Sequence, residues 1–418
     1  MQLILALLSS IAPSHGRSDE WPQYNGPSFD RVSPESLKTP RFPEGGPRVA
    51  WRIPMEAGFS SFAVAGGRAY TLDRRTLEGT EREVCLALDA DTGEELWAAP
   101  LAPSQYDGGG GSGAPGNDGG DGPRSTPSVA GGRVFVYDAR MVLHAFDAAT
   151  GKELWRVDVL ADHDGRDIRW QNASSPLVEG GLVLVGGGGE GSSFLAFDAR
   201  SGELEWAVGD ERMTHATPVV AELHGVRQVI FYVQSGLVAL DLEDGAELWS
   251  ADYPFRTSSA ASPVVHGDLV YCSAAYGVGA GAFRISKDGD GFSAELLWQR
   301  RNKLMNHWST PVCRDGYLYG LYGMKEYGRA PLACVELATG ELRWSEEGFG
   351  PGNTILVGEH LVVLGDAGQL VVVDPDPEAY RERARAVVLE GKCWSSPAFA
   401  GGRLYVRSTR EAACLDLR

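Results

Sequence analysis

Short apolar runs, alternating with polar residues and bounded by glycine, fill most of the chain. RVFVYD (133–138) is followed by LHAFD (143–147), the turn AATG (148–151) and KELWRV (152–157). Alternation with a period of two predicts half-buried strands. A further run of the form [ST]-P-x-V stands ahead, closed by Gly-Gly, as in STPSVAGG (125–132). Gly-Gly and Gly-Asp pairs predict tight turns because such turns need positive φ. In the D-x-x-T-G phrase, Asp bonds its own backbone and Gly takes the left-handed position. The pattern thus predicts a unit of four short antiparallel strands.

The unit recurs. LALDADTGEELWAA (86–99), VLHAFDAATGKELWRV (142–157) and LVALDLEDGAELWSA (237–251) are near copies, and Trp recurs in the fourth strand at 97, 155, 206, 249, 298 and 344. SSPLVEGGLVLV (174–185), ASPVVHGDLVYC (261–272), STPVCRDGYLYG (309–320) and SSPAFAGGRLYV (395–406) repeat the opening phrase, with looser copies at 60–72 and 216–231. A four-stranded unit repeated about every 40–50 residues predicts a β-propeller. First strands are placed near Ser60, Ser125, Ser174, Ala216, Ala261, Ser309, Asn353 and Ser395, which makes eight blades. The last blade ends at its third strand, AACLDLR, while RVAWRIPM (48–55) stands alone before the first. Trp51 matches the fourth-strand Trp, so the N-terminal strand is expected to complete the last blade and remove an open edge. The fourth-strand Trps are expected to pack between neighbouring blades. Blade seven lacks the Trp and has a long charged turn, and blade five is read with a long turn at SKDGDGFSAEL.

The chain has 418 residues, 43% hydrophobic, with a net charge of −18. That charge argues against nucleic-acid binding, and no later segment is apolar for long enough to span a bilayer. The run Leu3–Ala12 before Ser14-His15-Gly16 has the length of a signal-peptide core. The expected organisation is a signal peptide at 1–16, an extension at 17–47 and the propeller at 48–418, in an exported, periplasmic or extracellular monomer. The six cysteines form no C-x-x-C and sit mostly in strand runs, as buried thiols do.

The A-x-D-x-x-T-G-x-x-x-W phrase, as in LDADTGEELW and FDAATGKELW, resembles the quinoprotein-type propeller repeat, named for pyrroloquinoline quinone (PQQ). The resemblance runs from about residue 48 to the C-terminus. WPQYNGPSFDRVSPES (21–36), GDGPRSTP (120–127) and MNHWSTP (305–311) are most similar to exported bacterial members of unknown role. Two branches of the family imply two functions: a non-catalytic, protein-binding propeller like BamB of the outer-membrane barrel assembly machinery, or a PQQ-dependent dehydrogenase. The second implies an axial quinone with Ca²⁺, a catalytic Asp and a Trp floor. Positions just before the first strands, expected to line the axis, contain no Asp, Glu or adjacent Cys pair. They do contain Arg124, Asn172, His215, His307, Trp308 and Trp394, with Asn306 beside them. This set suits an anionic or sugar-like ligand, or else plugs the channel through bonds to loop carbonyls. The expected partner is a protein or peptide of the cell envelope, or a small or sugar-like ligand; no cofactor is expected, with PQQ and Ca²⁺ the alternative. The acidic loops at 106–123 and 287–292 and the turn DHDGRD (162–167) lack metal-ligand spacing and are read as solvated.

Overall fold

A computed structural model describes residues 19–103, 122–168, 170–257, 259–324 and 329–418. The expected signal peptide and most of the 106–123 loop lie outside these residues. Eight antiparallel sheets form the blades. Blade one comprises Ala63–Ala65, Arg68–Leu77, Thr80–Asp89 and Glu95–Pro103. Blades two to seven occupy 128–158, 177–208, 219–252, 264–300, 312–346 and 353–387 in turn. The three C-terminal strands, Ala398–Ala400, Arg403–Arg407 and Glu411–Asp416, take Arg48–Pro54 as their fourth. First strands of neighbouring blades adjoin, so they ring the axis.

The N-terminal strand closes the last blade as expected, with Trp51 facing Cys414 and Arg48 facing Asp416. Arg48 and Arg418 both reach the Asp416 carboxylate, at 2.6 and 2.7 Å, and hold its pKa well below the usual carboxylate range, Arg418 foremost. Six cysteines are free thiols, five of them buried.

Most fourth-strand Trps serve the next blade, whereas Trp249 donates Nε1 to Gln228 Oε1 of its own blade at 2.5 Å. A Cβ on the turn glycine of the following blade would strike the indole: Gly93 meets Trp51, Gly151 meets Trp97, Gly202 meets Trp155, Gly245 meets Trp206 and Gly340 meets Trp298, all within 2.8 Å. Most indoles also donate Nε1 to a carbonyl of that blade, as Trp51 to Ala90 (3.0 Å) and Trp298 to Leu337 (2.7 Å). Burying about 200 Å² of indole is worth about 5 kcal/mol per join before entropy is counted. The aim of the ring comes from a β-bulge: in every blade the register between third and fourth strands shifts beside the Trp or its equivalent. The extra residue rotates the local strand.

Three features differ from expectation. The [ST]P residues precede the first strands instead of forming them, and their hydroxyls make an inner belt. The amide of Ser61 donates to Thr126 Oγ1, Thr126 to Ser175 Oγ, Ser175 to Thr217 Oγ1, Ser262 to Thr310 Oγ1 and Ser396 to Ser61 Oγ, at 2.7–3.0 Å. Second, the long turn of blade five is strand: Ser286 pairs with Ser293 and Asp288 with Gly291, leaving only Gly289 and Asp290 to turn the chain. Third, Val32–Ser33 pairs in parallel with Leu356–Val357, giving blade seven a fifth strand.

Residues 19–39 are a strap over the first-strand ring, on the side of the Gly-Gly turns. Trp21 pairs with Val64 of blade one, Pro22 O accepts from Val129 of blade two, and Glu35 accepts the amides of Gly401 and Gly402 in blade eight. Thr39 then bonds the C-terminal backbone, delivering the chain to its closing strand.

Candidate functional site

The seven side chains singled out from the sequence lie on the face opposite the strap, but they do different work. Asn172 is buried, and its amide donates to Tyr137 O, Asp138 O and Ser174 O while its Oδ1 accepts from Ser174 N. Asn306, 0% exposed, accepts from Tyr271 Oη at 2.6 Å and donates to Leu321 O. Both amides are consumed in holding loops. His215 is buried and its Nε2 lies 2.9 Å from Gln171 O. Arg124 Nη1 donates to Trp170 O at 2.8 Å.

The other three belong to an aromatic row across the axis. Tyr276 meets His307 edge-on at 5.2 Å, His307 meets Trp308 at 5.0 Å, Trp308 meets Trp394 at 4.2 Å, and Trp394 meets Phe59 at 5.2 Å. These residues come from blades five, six, eight and one, so the row closes this end of the ring with side chains. Lys392 Nζ stands 4.5 Å from the Trp394 ring. The indole N–H groups of Trp308 and Trp394 are buried and lack an acceptor among the described residues.

Counting only positions before the first strands overlooked several polar groups. The loops between second and third strands bring buried Asp138 and Asp366 to the same face. Asp138 accepts from Arg140 N and Val142 N and stands 3.4 Å from His144 Nε2. His144 also touches Glu153 at 2.8 Å. Burial works to lower the His144 pKa, but the two carboxylates outweigh it and hold the value above that of a free histidine. Arg407, 0% exposed, donates to Leu72 O at 2.5 Å and lies 3.8 Å from Asp73, tying blade eight to blade one.

A quinone with Ca²⁺ does not fit these residues. A planar cofactor between two rings needs about 7 Å, twice a carbon–carbon contact, whereas Trp394 has Trp308 at 4.2 Å and Phe59 at 5.2 Å. Ca²⁺ needs six or more oxygen ligands, and among the described residues no three His, Cys, Asp or Glu side chains gather as metal donors.

The architecture and the aromatic-closed axis define a PQQ-like eight-bladed propeller. Residues 80–346 match the family described as outer membrane protein assembly factor BamB, and the chain belongs to that family. It is 28% identical to BamB of Moranella endobia over 267 residues, 59% of this chain and 63% of that protein. It is 27% identical to BamB of Yersinia pestis over 269 residues, covering 59% and 60%. The match therefore spans about three fifths of those relatives' length. Among solved structures, quinohemoprotein alcohol dehydrogenase from Comamonas testosteroni superposes with a TM-score of 0.68 at 15% identity, covering 97% of this chain and 81% of that one. BamB from Moraxella catarrhalis gives 0.59 at 14%, covering 88% and 99%. At such identities the likeness is one of fold. No helix among the described residues is long and apolar enough to cross a membrane.

Proposed function

We propose that this protein is an exported, non-catalytic propeller that docks a protein or peptide partner of the cell envelope, as a BamB-like scaffold. The observation that carries this reading is the rim. Val49, Leu96, Leu154, Leu204, Leu296, Leu342 and Val387 are each at least 42% exposed, and all lie on fourth strands, in seven different blades. A fourth strand has an unpaired outer edge, so an extended peptide can add its backbone there while its side chains cover the exposed leucine. The row of Trp308 and Trp394 favours a second reading, a sugar-like ligand that accepts from the two indole N–H groups.

Photo-crosslinkers placed at Leu204 and Leu342 in cells are expected to capture the same envelope protein, and Leu→Asp at those sites to weaken its recovery. Failure to capture any protein from the rim sinks the scaffold reading. So does alcohol-dependent dye reduction by pure protein supplied with PQQ and Ca²⁺. Quenching of tryptophan fluorescence by oligosaccharides, abolished in Trp308→Ala, would establish the second reading.

A further inference from the structure

The motif WPQYNGPSFDR, unused by the rim, builds a cavity of about 280 Å³ between the strap and the first strands of blades four to six. Asn25, Phe29 and Arg31 line it from the strap; Arg227 and Thr310 are among the residues lining it from the blades. Arg31 is 1% exposed and forms no ion pair with any described residue. Its Nε and Nη2 continue the inner belt across the join of blades seven and eight, reaching Thr354 O (3.2 Å), Asn353 Oδ1 (3.2 Å) and Ser396 Oγ (2.5 Å). That structural duty leaves Nη1 buried without an acceptor among the described residues. Asn25, 2% exposed, has the converse vacancy. Its Nδ2 donates to Ser262 Oγ at 3.1 Å, and that hydroxyl spends its own proton on Thr217 O at 2.8 Å. The amide orientation is therefore set by the network, and the group left over is the acceptor Oδ1.

Arg31 and Asn25, which carry one buried unpaired donor and one buried unpaired acceptor, thus line a single cavity, and the Arg31 charge faces the Tyr24 ring at 5.3 Å and no carboxylate among the described residues. Burying a guanidinium without a counter-anion costs several kcal/mol, and each unmade hydrogen bond about 1–3 kcal/mol. The backbone is strained as well: Phe29 and Arg31 have φ of +63° and +65°, a conformation that L-residues other than glycine rarely adopt. Asp30 and Glu222 also line the cavity but are exposed, and Asp30 caps its own turn through Val32 N. Arg227 is already matched by Glu179 at 2.5 Å. The charge that counts in the low-dielectric interior is Arg31.

We infer that this cavity binds a small hydroxycarboxylate of sugar-acid size, its carboxylate on Arg31 and a hydroxyl donating to Asn25. The volume exceeds the need of one water, about 10–15 Å³, by a wide margin. A carboxylate without hydroxyls leaves Asn25 unsatisfied, and a neutral sugar leaves Arg31 so. This site is separate from the rim, and its failure leaves the docking proposal untouched.

Calorimetric titration of the full chain with gluconate, acetate, glucose and inorganic phosphate tests the assignment. Gluconate is expected to bind, and to bind tighter than the other three. Arg31→Gln is expected to weaken gluconate by about tenfold or more, the loss of one charge-assisted hydrogen bond, whereas Arg31→Lys retains part of the affinity. Should Arg31→Gln fail to fold, Asn25→Asp provides a nearly isosteric second test, in which the new negative charge abolishes binding. Absence of gluconate binding to the native protein overturns the inference. So does binding that survives both substitutions, glucose or phosphate binding as tightly as gluconate, or a crystal soaked with gluconate whose cavity holds water only.

Discussion

Gly67 and Gly93 offer a matched pair for measuring the join between the last blade and the first. Both lie in blade one and both have φ of +74°. A Cβ on Gly67 would meet nothing within 4 Å, whereas one on Gly93 would lie 2.8 Å from the Trp51 indole. Alanine at either site carries the same left-handed backbone cost, about 1–2 kcal/mol. Only Gly93→Ala adds overpacking, about 1–3 kcal/mol, because Trp51 is 6% exposed and its Nε1 is bonded to Ala90 O at 3.0 Å. Gly93→Ala should therefore exceed Gly67→Ala by about 1–3 kcal/mol. Trp51→Ala alone should cost about 3–5 kcal/mol. In the double variant the clash is gone, so Gly93→Ala adds only its backbone part and the cycle returns a coupling of about 1–3 kcal/mol. Urea unfolding followed by far-UV circular dichroism supplies the midpoints and slopes. Equal costs for the two glycines, or simple additivity of Gly93→Ala with Trp51→Ala, would refute the argument. Strand 48–54 would then not seat its indole on blade one, and the ring would not close as described.

Other joins give further predictions. Thr126→Val removes the acceptor of the buried Ser61 amide and should cost about 1–3 kcal/mol in urea unfolding; a neutral result would remove the belt as a source of stability. Trp298→Phe loses the 2.7 Å bond to Leu337 O, whereas Trp155 Nε1 has no acceptor among the described residues to lose. Trp298→Phe should thus be worse than Trp155→Phe by about 1 kcal/mol, and the reverse order would contradict the geometry. The raised pKa of His144 means that the folded form binds its proton more tightly than the unfolded chain. Its stabilisation is complete below the unfolded value, about 6.5, and fades as pH rises through the folded value. Urea midpoints of His144→Gln should consequently fall less than those of the native protein over that interval, and parallel curves would show that the histidine is not coupled to Asp138 and Glu153.

How much of this was legible depends on the range of the interaction. The blades were readable because strand alternation, Gly-Gly turns and the Asp-to-Gly turn act within a few residues, and eight copies reinforced one another. The D-x-x-T-G turn behaves as its chemistry requires: Asp147 Oδ1 accepts from Ala149 N, Thr150 N and Thr150 Oγ1, and the Thr150 hydroxyl leads the groups that hold its pKa below the usual range. The bulges were missed, although the doublets Leu96-Trp97 and Leu154-Trp155 place two apolar residues in succession on an alternating strand, which a bulge resolves. On the axial face, residue type left two readings open, a ligand site or a plug bonded to loop carbonyls. Asn172 and Asn306 are polar and sit at the positions expected of ligand contacts, yet they bond groups that no local pattern brings to them: Asn172 donates to Tyr137 O, and Asn306 donates to Leu321 O and accepts from Tyr271 Oη.

Blade seven and the strap, two irregularities in the sequence, are one structural fact. Blade seven alone has Gly-Asn-Thr (352–354) where its neighbours carry Ser or Thr before Pro or an apolar residue, so it supplies no hydroxyl to the belt amides. There the strap adds Val32–Ser33 to the first strand, and Arg31 reaches Asn353, Thr354 and Ser396. A guanidinium presents five donors in a fixed fork and can bridge two blades that a single hydroxyl cannot. The departure of blade seven from the repeat is therefore compensated by a segment more than three hundred residues away, and the two must change together. Restoring the repeat with Asn353→Ser and Thr354→Pro would remove the Asn353 acceptor and leave Arg31 still more poorly partnered, so a substitution that improves the local pattern should destabilise the whole.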